Sequence, residues 1–154
     1  MSPLVIRRAT MADEGALLAL ASRLAHFELP AWRSAGEVIE ADGRDMVNAV
    51  AGGNPEHEVF LAESGAVPSG CLYVLVATDF FGRRHGHVSV IVTSEAAEGS
   101  GVGRALLVHA EEWARRRGLP LLTLNVFAGN ARARRFYENG GFTVEMLKYV
   151  KSVG

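Results

Sequence analysis

Apolar and polar positions along the chain change period several times, and each change predicts an element. Residues 4–8 read as a short strand. Leu17, Leu20, Leu24 and Phe27 then fall on one helical face. Thr10 followed by Asp13 has the form of a capping box with Asp in place of the usual Glu or Gln, and Pro30 is expected to end that helix. Ser34 with Glu37 is a second capping box. Ile39, Met46 and Val50 follow at helical spacing with Gly43 on the same stripe, and Gly52-Gly53-Asn54-Pro55 stops the helix. Residues 58–63 and 71–78 read as strands. The turn residues Ser64-Gly65 and Pro68-Ser69-Gly70 between them predict an antiparallel pair. Asp79-Phe80-Phe81-Gly82 is a loop carrying two aromatics.

The middle of the chain carries the strongest pattern. An apolar run, Val88-Ser89-Val90-Ile91-Val92, leads to Glu98-Gly99-Ser100-Gly101-Val102-Gly103 and then to a helix over 104–117. Val102, Ala105, Leu106, His109, Ala110 and Trp113 line one face of that helix, and Gly118 with Pro120 stops it. Residues 121–127 read as a strand. Asn130 caps a helix through Phe136 and Tyr137, closed by Gly140-Gly141, and residues 142–150 read as a final strand. The order β-α-α-β-β-β-α-β-α-β, without repeat or linker, predicts an α/β fold. One mixed sheet is flanked by helices in a single domain over 1–154.

Composition narrows the partners. With 49% hydrophobic residues in 154, a sizeable core is affordable. A net charge of −1 gives no general reason to expect nucleic acid or an anionic membrane as partner. One cysteine, Cys71, excludes an internal disulfide and fits a reducing cytoplasm. No apolar stretch is long enough to span a bilayer, and the N-terminus lacks the charged-then-apolar layout of a signal peptide; a soluble, cytoplasmic protein is expected.

A strand feeding a glycine turn feeding a helix is an anion-binding arrangement. Glycines let the backbone approach a ligand, and the first helical turn offers free N–H groups at the positive end of the dipole. Two phosphate loops are excluded by spacing. No G-x-x-x-x-G-K-[ST] run exists. A G-x-G-x-x-G fingerprint fails at Arg104 counted from Gly99 and at Leu106 counted from Gly101. Plain turn geometry would also use glycine, but three glycines in five residues at a helix start exceed that need. What remains, x-x-x-G-x-G after a strand, resembles motif A of the GCN5-related N-acetyltransferases, the GNAT family. The family's first motif position is Gln or Arg, and here it is Glu98. Asn130-Ala131-Arg132-Ala133-Arg134-Arg135-Phe136-Tyr137-Glu138-Asn139-Gly140-Gly141-Phe142 is similar to the family's N-x-x-A-x-x-F-Y-E-x-x-G-F signature. The opening Ile6-Arg7-Arg8-Ala9-Thr10-Met11-Ala12-Asp13 is similar to its first strand and helix start.

The resemblance implies a sheet that splays open beside the central strand, with acetyl-CoA as co-substrate in the split. It implies transfer of the acetyl group to a primary amine of a small molecule, by direct attack in a ternary complex. Main-chain amides of Glu98, Gly99, Ser100, Gly101, Val102, Gly103 and Arg104 would hold the pyrophosphate. Ile91, Val92 and Thr93 would lie along the pantetheine arm, with an amide near Val92 polarising the thioester carbonyl. One extra residue between Val92 and Glu98, against the family's spacing, would displace that donor to Thr93. Asn130, Arg132, Ala133, Phe136 and Tyr137 would contact the coenzyme, with Tyr137 protonating the departing thiolate. Ala133, Phe136 and Tyr137 also share one helical face and could simply pack, a reading that fits Phe136 better.

The general base is less legible. In relatives a carboxylate on the first half of the central strand serves, and Ser89 or its neighbours occupy that region. His87 is a candidate because its ordinary pKa lies near neutrality; Glu95, Glu63, Asp79 and Glu28 are weaker ones. His85-x-His87 alone is a poor metal signal, and no metal is expected. Phe27, Glu28, Trp32, Phe80 and Phe81 are expected to form the acceptor pocket, since aromatics with one or two acids suit a cationic amine carrying apolar bulk. The same aromatics, or the short sheet edges, could instead serve a homodimer. A peptide or protein amine as acceptor, a non-catalytic acyl-CoA-binding module and a plain interaction domain are the alternatives.

Overall fold

The computed structural model describes residues 2–154. Strand β1 (Leu4–Arg8) leads through a 3-10 turn (Met11–Asp13) into helix α1 (Glu14–Ala21), followed by helix α2 (Ala35–Gly52). Strands β2 (His57–Ser64), β3 (Val67–Thr78) and β4 (Arg84–Thr93) come next. A second 3-10 turn (Glu95–Ala97), helix α3 (Val102–Arg116), strand β5 (Leu122–Leu124) and helix α4 (Ala131–Asn139) complete the order. The five strands form one sheet in sequence order. Neighbours pair antiparallel except β4 with β5, which run parallel. Among the described residues no helix is long and apolar enough to cross a membrane.

Local chemistry accounts for the element starts. The Asp13 carboxylate accepts from the Thr10 backbone N–H at 2.7 Å and from both Arg7 guanidinium nitrogens, at 2.9 and 2.8 Å. Arg7 foremost holds the Asp13 carboxyl down at about 2. The Ser34 side chain accepts from the Glu37 N–H and starts α2, which ends on Gly53 in the left-handed region at φ 64°.

The sheet has a core on each face. Phe60, Leu72, Val74 and Val88 meet α3 through Leu106, Ala110 and Trp113. Leu61, Cys71, Tyr73 and Val90 meet α1 and α2 through Leu17, Leu20 and Met46. Val88 and Val90 face opposite sides because a bulge intervenes. Tyr73 pairs with Val90 and Val74 with Val88, so Ser89 has no partner on β3. Cys71 is fully buried with its Sγ 3.7 Å from Met46 Sδ, and burial pushes its thiol up to about 12; it is a core residue.

Gly70 on β3 is where α3 comes closest to the sheet. A Cβ there would lie 2.9 Å from Leu106 Cδ1, 2.9 Å from the Val92 carbonyl oxygen and 3.1 Å from Val102 Cγ1. The carbonyl cannot yield without moving β4. Gly70→Ala is expected to cost roughly 1–3 kcal/mol, or about 2–4 °C of Tm per kcal/mol, in a thermal melt.

The structure departs from the sequence expectations in three places. Helix α1 ends at Ala21, well before Pro30, so Leu24 and Phe27 lie beyond it and do not continue its face. Strand β5 covers only 122–124 of the expected 121–127, because the chain turns away from β4 after Leu124. Residues 142–150 form no strand. Phe142 is tied by its N–H to the Tyr137 carbonyl at 3.0 Å, but Val144, Met146, Leu147, Tyr149 and Val150 are exposed with no strand beside them.

Candidate active site

The parallel pairing of β4 and β5 consists of Gly86 with Leu122, His87 with Thr123 and Val88 with Leu124. Beyond that point the two strands diverge and a cleft of about 530 Å³ opens between them. Residues 88–93 of β4 form one wall and residues 124–127 the other. The glycine turn and the start of α3 close one end, α4 contributes Ala133, Phe136 and Tyr137, and the α1–α2 region covers the cleft with Leu24, Phe27 and Val38.

The glycine turn is built to present bare amides. Gly99 and Gly101 hold φ of 74° and 89°, a left-handed conformation that side chains disfavour. Gly101 caps α3 with no side-chain bond, and the first turn contains no acidic residue. The amides of the first helical turn therefore lack intrahelical partners and face the cleft end with the dipole behind them. Ser100 is the one residue of this expected set that does not line the cleft; its hydroxyl bonds the Ala97 carbonyl.

Glu98 stands at the turn with its carboxylate committed. Arg132 Nη1 lies 2.7 Å and Arg23 Nη2 3.2 Å from its Oε1, and these two cations, Arg23 first, hold the carboxyl below its ordinary range. Arg23 also donates to the Thr93 carbonyl at 2.6 Å. Two arginines thus stand at the anion end, partly neutralised by an internal anion. Glu98→Gln is expected to release them and tighten coenzyme A by roughly twofold to fivefold in Kd, as calorimetry would read.

Backbone alternation decides which β4 amides are available. Ser94 N–H donates to the Ser69 carbonyl across the β3–β4 pair. In an antiparallel ladder every second residue turns both main-chain groups to the same neighbour, so Val92 and Val90 bond to β3. Ile91 and Thr93 present theirs to the cleft, and Arg23 reaches the Thr93 carbonyl from that side. The Val92 amide is thus taken up by β3, and the free amides on either side of it are those of Ile91 and Thr93.

Tyr137 lines the cleft beside Phe136, ring centroids 5.4 Å apart, with Phe142 behind it at 6.0 Å. Burial among these rings pushes its phenol up to about 12, so the hydroxyl keeps its proton throughout the neutral range. Asn130 caps α4, its side chain accepting from the Ala133 N–H at 3.2 Å, and also lines the cleft.

Other expected residues lie elsewhere. His87 does not line the cleft. It sits where β4 and β5 still pair, with Nδ1 2.8 Å from Thr123 Oγ1, and burial holds its pKa below the ordinary value. His87 as general base is corrected on that ground. Of the expected acceptor residues only Phe27 lines the cleft, its ring 5.6 Å from that of Phe127. Glu28 is exposed, although its carbonyl closes on Gly129, where a Cβ would come within 2.6 Å. Trp32 is exposed, and Phe80 and Phe81 stand in the β3–β4 loop at 99% and 85% exposure. Arg23, His26, Asp42, Asn125 and Phe127 line the cleft without having been expected there. Asp42 had a readable signal, since Val38, Asp42 and Met46 recur every fourth residue.

Comparison with known proteins agrees with this geometry. The model of the acetyltransferase (GNAT) family matches residues 22–142. A mycothiol acetyltransferase of Beutenbergia cavernae is 43% identical over 58 residues, 38% of this chain and 20% of that protein. An uncharacterized N-acetyltransferase, YhdJ, of Bacillus subtilis is 34% identical over 70 residues, 45% of this chain and 49% of that protein. The chain thus spans half or less of the curated relatives it matches. Among solved structures, an aminoglycoside N-acetyltransferase in complex with CoA superposes with a TM-score of 0.74 at 15% identity, covering 99% of this chain and 96% of that one.

Proposed function

Because this chain belongs to the GNAT acetyltransferase family, we propose that it moves the acetyl group of acetyl-CoA to a primary amine of a small molecule, by direct attack within a ternary complex. The observation that carries this reading is the coincidence, in one cleft, of a bare-amide glycine turn, free β4 amides and a protonated tyrosine. Family membership stands on the match over 22–142; the reaction, the acceptor and the residue roles are the proposal.

Acetyl-CoA supplies a thioester whose sulfur is the leaving group. The residues present fit such a molecule. The amides of Gly99 and of residues 101–104, with the Arg23–Arg132 pair, suit a diphosphate, the Ser100 amide being bound to the Ala97 carbonyl, while the main-chain groups of Ile91 and Thr93 suit an amide-bearing arm laid along β4 as an added strand. One of those N–H groups polarises the acetyl carbonyl and stabilises the oxyanion that attack creates there. One proton leaves the neutral acceptor nitrogen to solvent, which later reprotonates the tyrosine, and one arrives at sulfur. Tyr137 holds the second at its hydroxyl and donates toward the departing thiolate. Everything else is positioning, by which bound neighbours replace a bimolecular encounter.

The test is a panel of amines with acetyl-CoA, read as coenzyme A release, beside a thermal shift with acetyl-CoA alone. Release with at least one small primary amine supports the reading. A thermal shift without release would leave a binding module, and neither signal would remove the acyl-CoA site altogether.

A further inference from the structure

On helix α2, Val38, Asp42, Met46 and Val50 recur every fourth residue, running from the cleft to the core. Met46 is fully buried against Cys71, and Val50 packs on the same core. Three of the four positions are apolar, as the packing demands. Asp42 is the exception. It is half-buried, and it lines the cleft next to Val38. Among the described residues no side-chain hydrogen bond or ion pair reaches it; the nearby Arg44 pairs with Asp45 at 3.9 Å instead.

A partly desolvated carboxylate without a partner costs free energy, and an aliphatic side chain would serve the stripe better. The cleft's other carboxylate, Glu98, is already held by two arginines. Asp42 is thus the uncommitted anion of the cleft. On its side of the cleft Leu24, Phe27 and Val38 are apolar, with the Phe127 ring 5.6 Å from that of Phe27; of the basic residues there, Arg23 is bound to Glu98 and to the Thr93 carbonyl, and His26 is exposed. An unpaired carboxylate among rings and aliphatic groups is suited to a cation on an apolar body.

We propose that Asp42 is the cation-recognising residue of the acceptor subsite, drawing in the ammonium of a primary amine whose apolar body lies on Phe27 and Phe127, the nitrogen giving its extra proton to solvent before it attacks. The proposal rests on the acetyltransferase reading of the cleft and names the acceptor class within it. Burial raises the Asp42 carboxyl above its ordinary value, with Asp45 adding to the shift, and a cation brought to it opposes both effects. The sign of the linkage follows. A carboxyl raised on folding stabilises the fold below its unfolded pKa, and that contribution is lost as pH rises through its folded value. At neutral pH Asp42 is therefore a liability to the empty protein, and Asp42→Asn, of the same shape, removes it.

The experiment uses the full chain and two probes of the same shape, 2-phenylethylamine and the neutral 2-phenylethanol, with binding measured by calorimetry on the free and the coenzyme A-loaded protein. Wild type is expected to prefer the amine by about tenfold or more, and Asp42→Asn to bind both alike. Asp42→Asn is further expected to raise the KM for the amine by about tenfold while kcat and the KM for acetyl-CoA stay within about twofold. Its Tm at pH 7 should match or exceed that of wild type. No preference for the amine in wild type, or a preference that survives Asp42→Asn, overturns the role of Asp42. Absence of coenzyme A binding by wild type overturns the acetyltransferase reading separately, since the comparison on the free protein still decides Asp42.

Discussion

Tyr137→Phe lowers turnover by about a hundredfold or more and leaves the affinity for acetyl-CoA within about twofold. The ring packs between Phe136 and Phe142, and phenylalanine keeps every one of those contacts. Only the hydroxyl is lost, and with it the donor proposed for the departing sulfur. Stopped-flow or steady-state release of coenzyme A, paired with calorimetry of acetyl-CoA, separates the two effects. The pH profile adds a second check. With the phenol pushed up to about 12, Tyr137 stays in its donating form as pH rises through neutrality and well beyond. Activity in wild type should therefore climb with pH as the acceptor amine loses its proton, without a falling alkaline limb from this residue below about pH 10. Equal turnover in the variant would remove Tyr137 from the reaction, and an alkaline limb near pH 8 that Tyr137→Phe abolishes would overturn the raised pKa of its phenol.

Gly103→Asp is expected to abolish acetyl-CoA binding while leaving the fold intact. A Cβ at Gly103 would meet Phe136 and Thr93 at 3.5 Å, an ordinary contact, so the backbone need not move. An aspartate in the first turn also suits the helix dipole, which favours negative charge at that end. The melting temperature of the empty variant should thus equal or exceed that of wild type. The same carboxylate occupies the place where the diphosphate would lie and repels it. A loss of at least a hundredfold in Kd, about 3 kcal/mol, is the expected magnitude. Wild type at a ligand concentration a hundred times Kd should gain about 2.7 kcal/mol of stability, and the variant none. A variant that still melts later with acetyl-CoA would place the phosphates elsewhere.

The stretch from β4 to α3 was legible because its signals agree. β-branched residues, then glycines, then a helical stripe each have one reading, and each element formed where its residues placed it. The acceptor end was not legible in the same way. Phe80 and Phe81 looked like pocket aromatics because large apolar residues in a loop imply a contact, yet the β3–β4 hairpin carries them clear of the molecule. Leu24 and Phe27 continued the period of α1, but the helix ends at Ala21; Phe27 goes to the cleft, and Leu24 lines the cleft while packing on the core. Periodicity reports which residues avoid water, not which partner they find. The 142–150 segment has strand-forming residues, but a strand needs a neighbour, and none lies beside it among the described residues. Asp42 was hidden by the opposite error: a charged residue on a helix is ordinarily assigned to solvent, and only its phase against Met46 shows otherwise.

The three rungs that join β4 to β5 make this seam the narrowest tie in the sheet. Antiparallel ladders elsewhere run several residues further, so thermal breathing concentrates where Val88 faces Leu124. A guest gripped on one side by β4 and on the other by the segment leading into α4 acts as a splint across the gap. Its grip on either rim then stiffens the seam itself, and slow amide exchange in β5 becomes a gauge of occupancy.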